Sequence, residues 1–279
     1  MNVVRHSGLE RWLEEVSEPL YRHEAEHSLL LGLAGEYLAG SDPIPEGLGA
    51  WSVHDRGQPV GAALVTPNNM IISRMPDEAV HRLIESLGEQ GIELPGVVGS
   101  AEAAAAFAKG WANTSGRTAV LRMSQCLQSC RNVAWRHRSP GVFRAAEAAD
   151  IPVLTEWARA FECEVHGEEA KHDLEPGVRR RIEKGRSFVW EVAGIVVSNA
   201  SIGRPTRSSI TVNFVYTPSE QRGRGFATSC VAEVTGRQLH AGRRFCCLYT
   251  DASNPISNAV YSKIGYRKVC DSAWWVFKD

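Results

Sequence analysis

Apolar and polar positions along the first half of the chain predict an alternation of helices and strands. Residues 9–38 carry apolar side chains at near-helical spacing, broken once by Pro19, and predict a helical opening. Two short runs on either side of a tight turn near residue 56 predict paired strands. Residues 75–91 predict a helix, and a strand, a small-residue helix and a closing strand follow between residues 95 and 126.

The second half repeats this order of elements. Residues 133–141 predict a linker between a first domain, 1–132, and a second domain, 142–279. In both domains a run of strands ends in Thr-Pro, at residues 66–67 and 217–218, and a long helix, a strand, a short helix and a closing strand come next. At the end of the second domain two final strands are predicted, at residues 266–270 and 273–278. Repeats of this length indicate duplication of one α+β unit. We therefore predict two tandem α+β domains, each with a mostly antiparallel central sheet flanked by helices.

A glycine-rich segment distinguishes the second domain from the first. Residues 222–229, RGRGFATS, follow a predicted strand and begin a predicted helix, where backbone N–H groups lack partners and the helix dipole is positive. Glycines allow the backbone to approach a bulky anion such as a pyrophosphate. The segment lacks the Gly-Lys-Ser/Thr of a Walker A loop, and the flanking strands do not predict the βαβ unit of a dinucleotide fingerprint. A turn with two solvated arginines is the alternative.

This segment and a second one together resemble the GNAT acetyltransferase superfamily. Residues 222–227 are similar to its Arg/Gln-x-x-Gly-x-Gly/Ala pyrophosphate loop, and residues 254–266, which include Asn254 and Tyr261, are similar to its Asn…Tyr…Gly-Phe/Tyr segment. The resemblance covers roughly residues 140–279. It is closest to a subgroup of two-domain predicted bacterial acetyltransferases related to glycine N-acyltransferase, in which a degenerate GNAT-like domain precedes a catalytic one.

The resemblance implies that acetyl-CoA is a cosubstrate and lies between two diverging strands, one ending near residue 217 and the other at 245–251. Backbone groups of the first strand would hold the pantetheine and polarise the thioester, and those of the glycine segment would bind the pyrophosphate. The residues so implied to bind acetyl-CoA are Val215, Tyr216, Thr217, Arg222, Gly223, Arg224, Gly225, Phe226, Ala227, Thr228, Asn254 and Asn258. The first domain has no glycine in the corresponding segment, NNMIISRM, which implies that it binds no acyl-CoA.

The resemblance also implies that Tyr261 protonates the departing thiolate, although a helical tyrosine can equally pack in the core. Asn254 can act as a helix cap as well as a ligand, because it directly precedes a proline. The general base is open. Asp251 is one candidate and Glu164 another, and a water chain or no single base is the alternative. Glu164 belongs to an acidic segment whose other members are Glu162, His166, Glu168 and Glu169, and which is otherwise typical of a solvated surface loop.

The sequence HEAEH, residues 23–27, has the spacing of a zinc-protease helix, with two histidines one turn apart. The extended metzincin pattern fails, because leucines stand where the glycine and third histidine are required. No third ligand is marked by the sequence. We predict an amphipathic helix with Glu24 and Glu26 facing outward, and no metal.

Composition limits the possible partners. The net charge of −1 and the pI of about 6.8 give no electrostatic basis for binding nucleic acid or an anionic membrane. The sequence contains no membrane-spanning apolar run or signal peptide, and its seven cysteines follow no disulfide framework, which indicates the cytoplasm. We therefore predict a cytoplasmic N-acetyltransferase that transfers directly to a small-molecule amine or amino acid. The alternative is a non-catalytic acyl-CoA-binding module.

Overall fold

The protein was analysed as a computed structural model, which describes residues 1–135, 137–167 and 173–279. The elements of the first half are β1 (Asn2–His6), α1 (Leu9–Arg22), α2 (Ser28–Leu38), β2 (Gly49–Asp55), β3 (Gln58–Val65), β4 (Met70–Ile72), α3 (Asp77–Glu89), β5 (Gly96–Ser100), α4 (Ala101–Ser115) and β6 (Thr118–Cys130). Those of the second half are β7 (Val142–Ala145), α5 (Ile151–His166), α6 (Glu175–Glu183), β8 (Ser187–Val192), β9 (Ile195–Gly203), β10 (Ser209–Tyr216), α7 (Phe226–His240), β11 (Phe245–Asp251), α8 (Pro255–Ile264) and β12 (Arg267–Lys278). The two halves therefore share one order of helices and strands. The predicted equivalence of the two Thr-Pro pairs is wrong, because residues 66–67 follow β3 whereas residues 217–218 follow β10, the counterpart of β4.

The strands described by the structure form one twelve-stranded sheet in the order β1-β2-β3-β4-β5-β12-β6-β11-β10-β9-β8-β7. The pairs β4–β5 and β10–β11 are parallel, and the remaining neighbouring pairs are antiparallel. The order is symmetric about its centre, since each strand of the first half occupies the place that its counterpart occupies in the second. The predicted α+β class with a mostly antiparallel sheet is confirmed.

The two halves exchange their last strands. β12 pairs with β5 of the first half, and β6 pairs with β11 of the second half. Phe277 of β12 accordingly packs in the core of the first half, and Cys130 of β6 packs in that of the second. The predicted linker at 133–141 separates β6 from β7 along the chain, but in space each half is completed by a strand of the other.

Apolar stripes at helical spacing attach the helices to the sheet. In α1 the buried residues are Leu9, Trp12, Val16 and Leu20, and in α3 they are Ala79, Val80, Leu83, Ile84 and Leu87. These intervals of three and four residues place each set on one helix face. Burying a leucine or valine side chain contributes about 1.5–3 kcal/mol, so these faces fix the helices against the sheet.

The opening helix is interrupted at a different place from the one predicted. Pro19 lies inside α1, and the chain leaves the helix at residues 23–27, where HEAEH forms the turn to α2. The prediction that Glu24 faces outward is wrong. Its carboxylate accepts hydrogen bonds from the Thr206 hydroxyl at 2.6 Å and the Ser208 backbone N–H at 2.8 Å, in the turn between β9 and β10.

A second carboxylate of the first half contacts the same turn. Glu36 of α2 is 5% exposed, accepts the Arg204 backbone N–H at 2.9 Å and forms an ion pair with Arg186. Separating this ion pair would leave the Glu36 carboxylate buried and unpaired, which is unfavourable in free energy. The HEAEH turn and α2 therefore position the β9–β10 hairpin, which leads into the candidate site.

Three strands differ from the sequence prediction. β1 is half exposed and β4 has only three residues, so neither shows a usable period, and the sequence predicts neither. The two predicted final strands form one strand, β12, which bends at register shifts after Lys268 and Trp274. In the part of the chain that the structure describes, no helix has the length and apolar character needed to cross a membrane.

Candidate active site

The parallel strands β10 and β11 diverge. They pair only from Ser209 opposite Phe245 to Thr211 opposite Cys247, although β10 continues to Tyr216. The facing edges beyond Thr211 carry no ladder hydrogen bonds to each other among the described pairs. Backbone donors and acceptors that face an opening are available to a ligand. The divergence predicted at this position is therefore present.

A β-bulge shapes the β10 side of this opening. Asn213 pairs with Ser201 and Tyr216 pairs with Asn199, so two residues of β10 lie opposite one residue of β9. Phe214 has φ of 44°, which is unusual for a residue other than glycine. The Asn199 side chain donates to the Phe214 carbonyl at 2.8 Å and holds the bulge. Bulges commonly redirect backbone groups beside active sites, and the sequence gives no glycine to predict this one.

The glycine segment presents a row of unpartnered backbone N–H groups. Gly223 and Gly225 both have φ of 78°, and Gly225 is the N-cap of α7. Within the described residues, the N–H groups from Gly223 to Thr228 make no hydrogen bond, and the first bond of the helix region is donated by Ser229 to the Gly225 carbonyl at 3.0 Å. Such a row at a helix N-terminus binds anions, with the helix dipole adding to the attraction. The structure brings residues 223–228 together at this helix N-terminus, and their assignment to a pyrophosphate stays a prediction.

The predicted linker braces this segment, which the sequence does not indicate. The Ser139 hydroxyl donates to the Arg224 carbonyl at 2.9 Å, and the Ser139 backbone N–H donates to the Ser229 hydroxyl at 2.9 Å. A Cβ atom at Gly225 would lie 2.8 Å from the Ser139 hydroxyl. Gly225 is therefore required both for its positive φ and for this close packing. Ser139 is 85 to 90 residues away in sequence from its partners, so no local pattern could reveal it.

Arg222, Glu164 and Tyr216 form a polar cluster at the edge of the opening. One guanidinium nitrogen of Arg222 lies 2.8 Å from each carboxylate oxygen of Glu164, and the Tyr216 hydroxyl donates to Glu164 at 3.3 Å. The Arg222 Nε group donates to the Thr217 carbonyl at 2.8 Å. Burial, followed by the negative charge of Glu164, raises the pKa of Tyr216. Glu164 thus lies beside the glycine segment, but its carboxylate is paired with Arg222.

Tyr261 lies in the core of the second half. It is 8% exposed and packs edge-to-face on Tyr266 at a ring-centroid distance of 5.9 Å. Burial raises the pKa of its hydroxyl to about 12, and a hydrogen bond with Ser257 opposes that effect. The hydroxyl stays protonated at physiological pH and can donate a hydrogen bond. The packing alternative and a role as a donor to a thiol are both compatible with this placement.

The polar residues around the end of β11 mostly hydrogen-bond to one another. The Asn254 side chain caps α8 by accepting the Ser257 N–H at 3.0 Å. Asn258 accepts the Thr250 hydroxyl at 2.6 Å and donates to the Asp251 carbonyl at 3.2 Å. Asp251 accepts the backbone N–H and the hydroxyl of Ser253 through one carboxylate oxygen. Asn254 and Asn258 therefore stabilise the β11–α8 turn in this structure, and one oxygen of Asp251 faces no hydrogen-bond donor of the described chain.

The corresponding turn of the first half has no glycine and carries negative charge. Its parallel pair is limited to Met70 opposite Val97 and Ile71 opposite Val98, and only residues 73–76 connect β4 to α3. The first turn of α3 carries Asp77 and Glu78. These carboxylates neutralise the positive helix end and would repel a phosphate.

Other sequence predictions concern metal binding and the acidic segment. Among residues 1–135, 137–167 and 173–279, no three His, Cys, Asp or Glu side chains are arranged to hold a metal ion. His23 and His27 lie in a turn and not on one helix face, with ring centroids 6.4 Å apart. In the acidic segment, Glu168 and Glu169 lie outside the described residues, as does the side chain of His166.

Comparisons with known proteins identify the fold. Residues 200–276 match a family model described as FR47-like protein, and no curated protein matches the chain. An acetyltransferase of the GNAT family from Colwellia psychrerythraea is 12% identical, with full coverage of both chains and a TM-score of 0.57. A GCN5-related N-acetyltransferase from Sphaerobacter thermophilus is 15% identical over 98% of this chain and 94% of its own, with a TM-score of 0.63. A tandem GNAT protein from the clavulanic acid biosynthesis pathway is 12% identical over 98% of each chain, with a TM-score of 0.57. The chain therefore has the GNAT fold.

Proposed function

We propose that the chain is an acetyl-CoA-dependent N-acetyltransferase whose active site is the opening between β10 and β11. The observation that carries this proposal is the row of six unpartnered backbone N–H groups from Gly223 to Thr228 beside diverging parallel strands. An unpaired backbone donor has a strong requirement for an acceptor, and a pyrophosphate supplies several. The GNAT fold and the FR47-like match of residues 200–276 support the same function.

The residues present fit acetyl-CoA as the cosubstrate. Residues 223–228 would bind its pyrophosphate. Val215 and Tyr216, in the part of β10 that no longer pairs with β11, would hold the pantetheine arm and the thioester carbonyl. Bound acetyl-CoA supplies an activated acyl group with a thiolate leaving group. Donors fixed in advance at a developing negative charge are effective because they need no reorganisation during the reaction.

Two carboxylates can remove the proton of an amine acceptor. Asp251 has one oxygen free of hydrogen bonds to described residues, at the end of the open strand β11. Glu164 is occupied by Arg222, but both side chains are about half exposed, so the pair contributes little stability and can separate. We assign Arg222 to the phosphates, which would release Glu164 to act as the base only when the cosubstrate is in place.

Tyr261 acts in this proposal as a hydrogen-bond donor to the departing sulfur. A thiol has a pKa of about 8.5, whereas the Tyr261 hydroxyl has a pKa of about 12. Full proton transfer from this hydroxyl to the thiolate is therefore unfavourable. A hydrogen bond to the thiolate needs no such transfer. Solvent can supply the proton afterwards.

A small-molecule amine or amino acid is the proposed acceptor. The end of α5 places Glu164 beside Arg222 of the glycine segment, and a carboxylate attracts an ammonium group. The resemblance to acetyltransferases related to glycine N-acyltransferase supports the same class. The cytoplasm remains the proposed location, supported by seven cysteines that are all free thiols.

One observation favours a second function, a non-catalytic acyl-CoA-binding module. β10 carries no carboxylate, and both candidate bases already accept hydrogen bonds, Glu164 from Arg222 and Asp251 from Ser253. Such a module would keep the anion site and lack the proton acceptor that an ammonium acceptor requires.

Mass-spectrometric detection of N-acetylated products separates the two functions. The full chain is incubated with acetyl-CoA and a panel of amino acids, polyamines and aminoglycosides, and CoA binding is measured in parallel by calorimetry. We expect at least one acetylated amine whose formation requires the protein. Binding of CoA without any product above the uncatalysed background would favour the binding module, and absence of both would exclude the site assignment.

A further inference from the structure

The first half contains a cleft of about 690 Å³, which is within the size range of small-molecule sites. Its walls come from the start of β3, the connection between β4 and α3, the residues after β5, and α1 with the turn that follows it. The corresponding elements of the second half surround the opening between β10 and β11. The first half therefore retains a cleft at the place where the second half has its candidate active site, but without a glycine segment.

A buried histidine in this cleft has an unused acceptor. His27 is 7% exposed and lines the cleft, and its Nδ1 lies 3.1 Å from the Leu20 carbonyl oxygen. A carbonyl can only accept, so Nδ1 carries the proton and Nε2 carries a lone pair. Nε2 has no partner among the described residues, and neither does the hydroxyl of Ser100, another lining residue. Buried polar atoms are rarely left unpaired in native proteins.

A small cavity beside the cleft shares four residues with it. This cavity of about 20 Å³ has room for about one water molecule. The residues that line both spaces are Glu26, His27, Arg74 and Ser100. These four residues form a polar wall that a ligand head group or a bridging water can contact from the cleft.

The charges and the apolar surface of the cleft indicate which ligand it fits. Its titratable lining comprises the carboxylates Glu26, Asp77 and Glu102, the guanidinium of Arg74, and two histidines, His23 and His27. Burial lowers the pKa of His27 and keeps it neutral. Negative groups thus predominate on the surface of the cleft, and they favour a ligand with a positive charge. The apolar lining includes Val16, Leu20, Val60, Met75 and Ala103.

We infer that this cleft is a binding site for a small aliphatic primary amine. Its ammonium group contacts Glu26, on the polar wall behind which Nε2 of His27 is buried, and its hydrocarbon chain lies along the apolar wall. A nucleotide or acyl-CoA is a poor match, because the carboxylates of Asp77 and Glu78 in the first turn of α3 would repel a phosphate. The inference concerns the first half and does not depend on acetyl transfer by the second.

Methionine methyl NMR of the full chain tests this inference without CoA. The chain has four methionines, of which Met75 lines the cleft and Met70 is buried in the neighbouring core. The protein carries ¹³C-methyl methionine and is titrated at pH 7.5 with 3-methylbutylamine, 3-methylbutanol or 3-methylbutanoate. These probes share one hydrocarbon chain and differ in charge. We expect a saturable shift of the Met75 methyl with the amine, with at least fivefold weaker binding of the alcohol.

Removing a negative charge and removing a positive charge from the cleft should change its affinity for an amine in opposite directions. Glu26→Gln should weaken binding of 3-methylbutylamine about fivefold, the size of one charge interaction at 4 Å in water, and Arg74→Gln should tighten it by up to the same factor. Glu89→Gln is the matched control, because it removes an exposed carboxylate at the far end of α3, about 18 Å along the helix from Asp77. An unchanged Met70 methyl resonance shows that each variant is folded.

Three results would overturn the inference. A Met75 shift that saturates with 3-methylbutanoate and is lost in Arg74→Gln would make the cleft an anion site. Equal affinity for amine and alcohol would leave the charges without a role. A Met75 methyl that responds to none of the three probes, in a protein whose spectrum is otherwise intact, would show that the cleft does not bind this class of ligand.

Discussion

Replacing Gly223 by aspartate or asparagine tests the anion site with a single change of charge. Gly223 is exposed, has φ of 78°, and a Cβ atom there would meet no heavy atom within 4 Å. Both residues tolerate this left-handed conformation better than other side chains do, and both keep the backbone N–H. They have nearly the same shape. Gly225 is a worse choice, because any side chain there also meets Ser139.

The expected loss of affinity follows from Coulomb's law. The pyrophosphate carries two negative charges, and each interaction with a carboxylate at about 4 Å costs about 1 kcal/mol in water. Gly223→Asp should therefore bind acetyl-CoA about 30-fold more weakly than Gly223→Asn, a difference of about 2 kcal/mol. Gly223→Asn should remain within a few-fold of the wild type.

Calorimetric titration with acetyl-CoA at low and high salt measures this difference. The gap between the two variants should narrow as ionic strength rises, because salt screens charges at an exposed site. Equal affinities of the aspartate and asparagine variants at low salt would refute the placement of the pyrophosphate at residues 223–228.

Three further predictions concern catalysis and stability. Tyr261→Phe keeps the buried ring and removes one hydrogen bond, so kcat should fall roughly tenfold with KM for acetyl-CoA nearly constant; a wild-type kcat in steady-state assays would make Tyr261 a packing residue only. Glu164→Gln should lower kcat by about 10²-fold or more, because it removes the proposed base. KM for acetyl-CoA should not rise, because Arg222 is then free to bind phosphate. An unchanged kcat would exclude Glu164 as the base. Burial lowers the pKa of His27 below its ordinary 6.5, so on acidification the unfolded chain binds a proton at this residue before the folded chain does, and Tm should fall as the pH is lowered from about 6.5. In thermal melts, His27→Asn should make Tm less dependent on pH. An unchanged pH dependence of Tm would assign the effect to another group such as His6.

Local patterns in the sequence were sufficient for the order of the elements other than β1 and β4. The stripe of α3 and the strand pairs around residue 56 are periodic, and the structure has them at the predicted places. The exchange of β6 and β12 between the halves could not be predicted, because strand pairing depends on contacts between residues distant in sequence. The turn at HEAEH was missed for a similar reason, since Glu24 finds its partners in residues 206–208.

The candidate site was predictable where backbone conformation depends on residue type. Glycines at 223 and 225 signal positive φ, and the structure gives both a φ of 78° in the turn before α7. Side-chain roles were less accessible. Asn258 hydrogen-bonds to Thr250 and Asp251 and so stabilises the β11–α8 turn. Ser139 hydrogen-bonds to the glycine segment although 85 residues separate it from Arg224. Hydrogen-bond partners of this kind are set by tertiary packing and leave no spacing to recognise.

Crystals of the full chain soaked with acetyl-CoA test the central claim most directly. We predict one molecule per chain, with its pyrophosphate against the backbone N–H groups of residues 223–228 and its thioester between β10 and β11, next to Tyr261. Pyrophosphate density in the first-half cleft beside Asp77, or a thioester outside the opening between β10 and β11, would contradict the account.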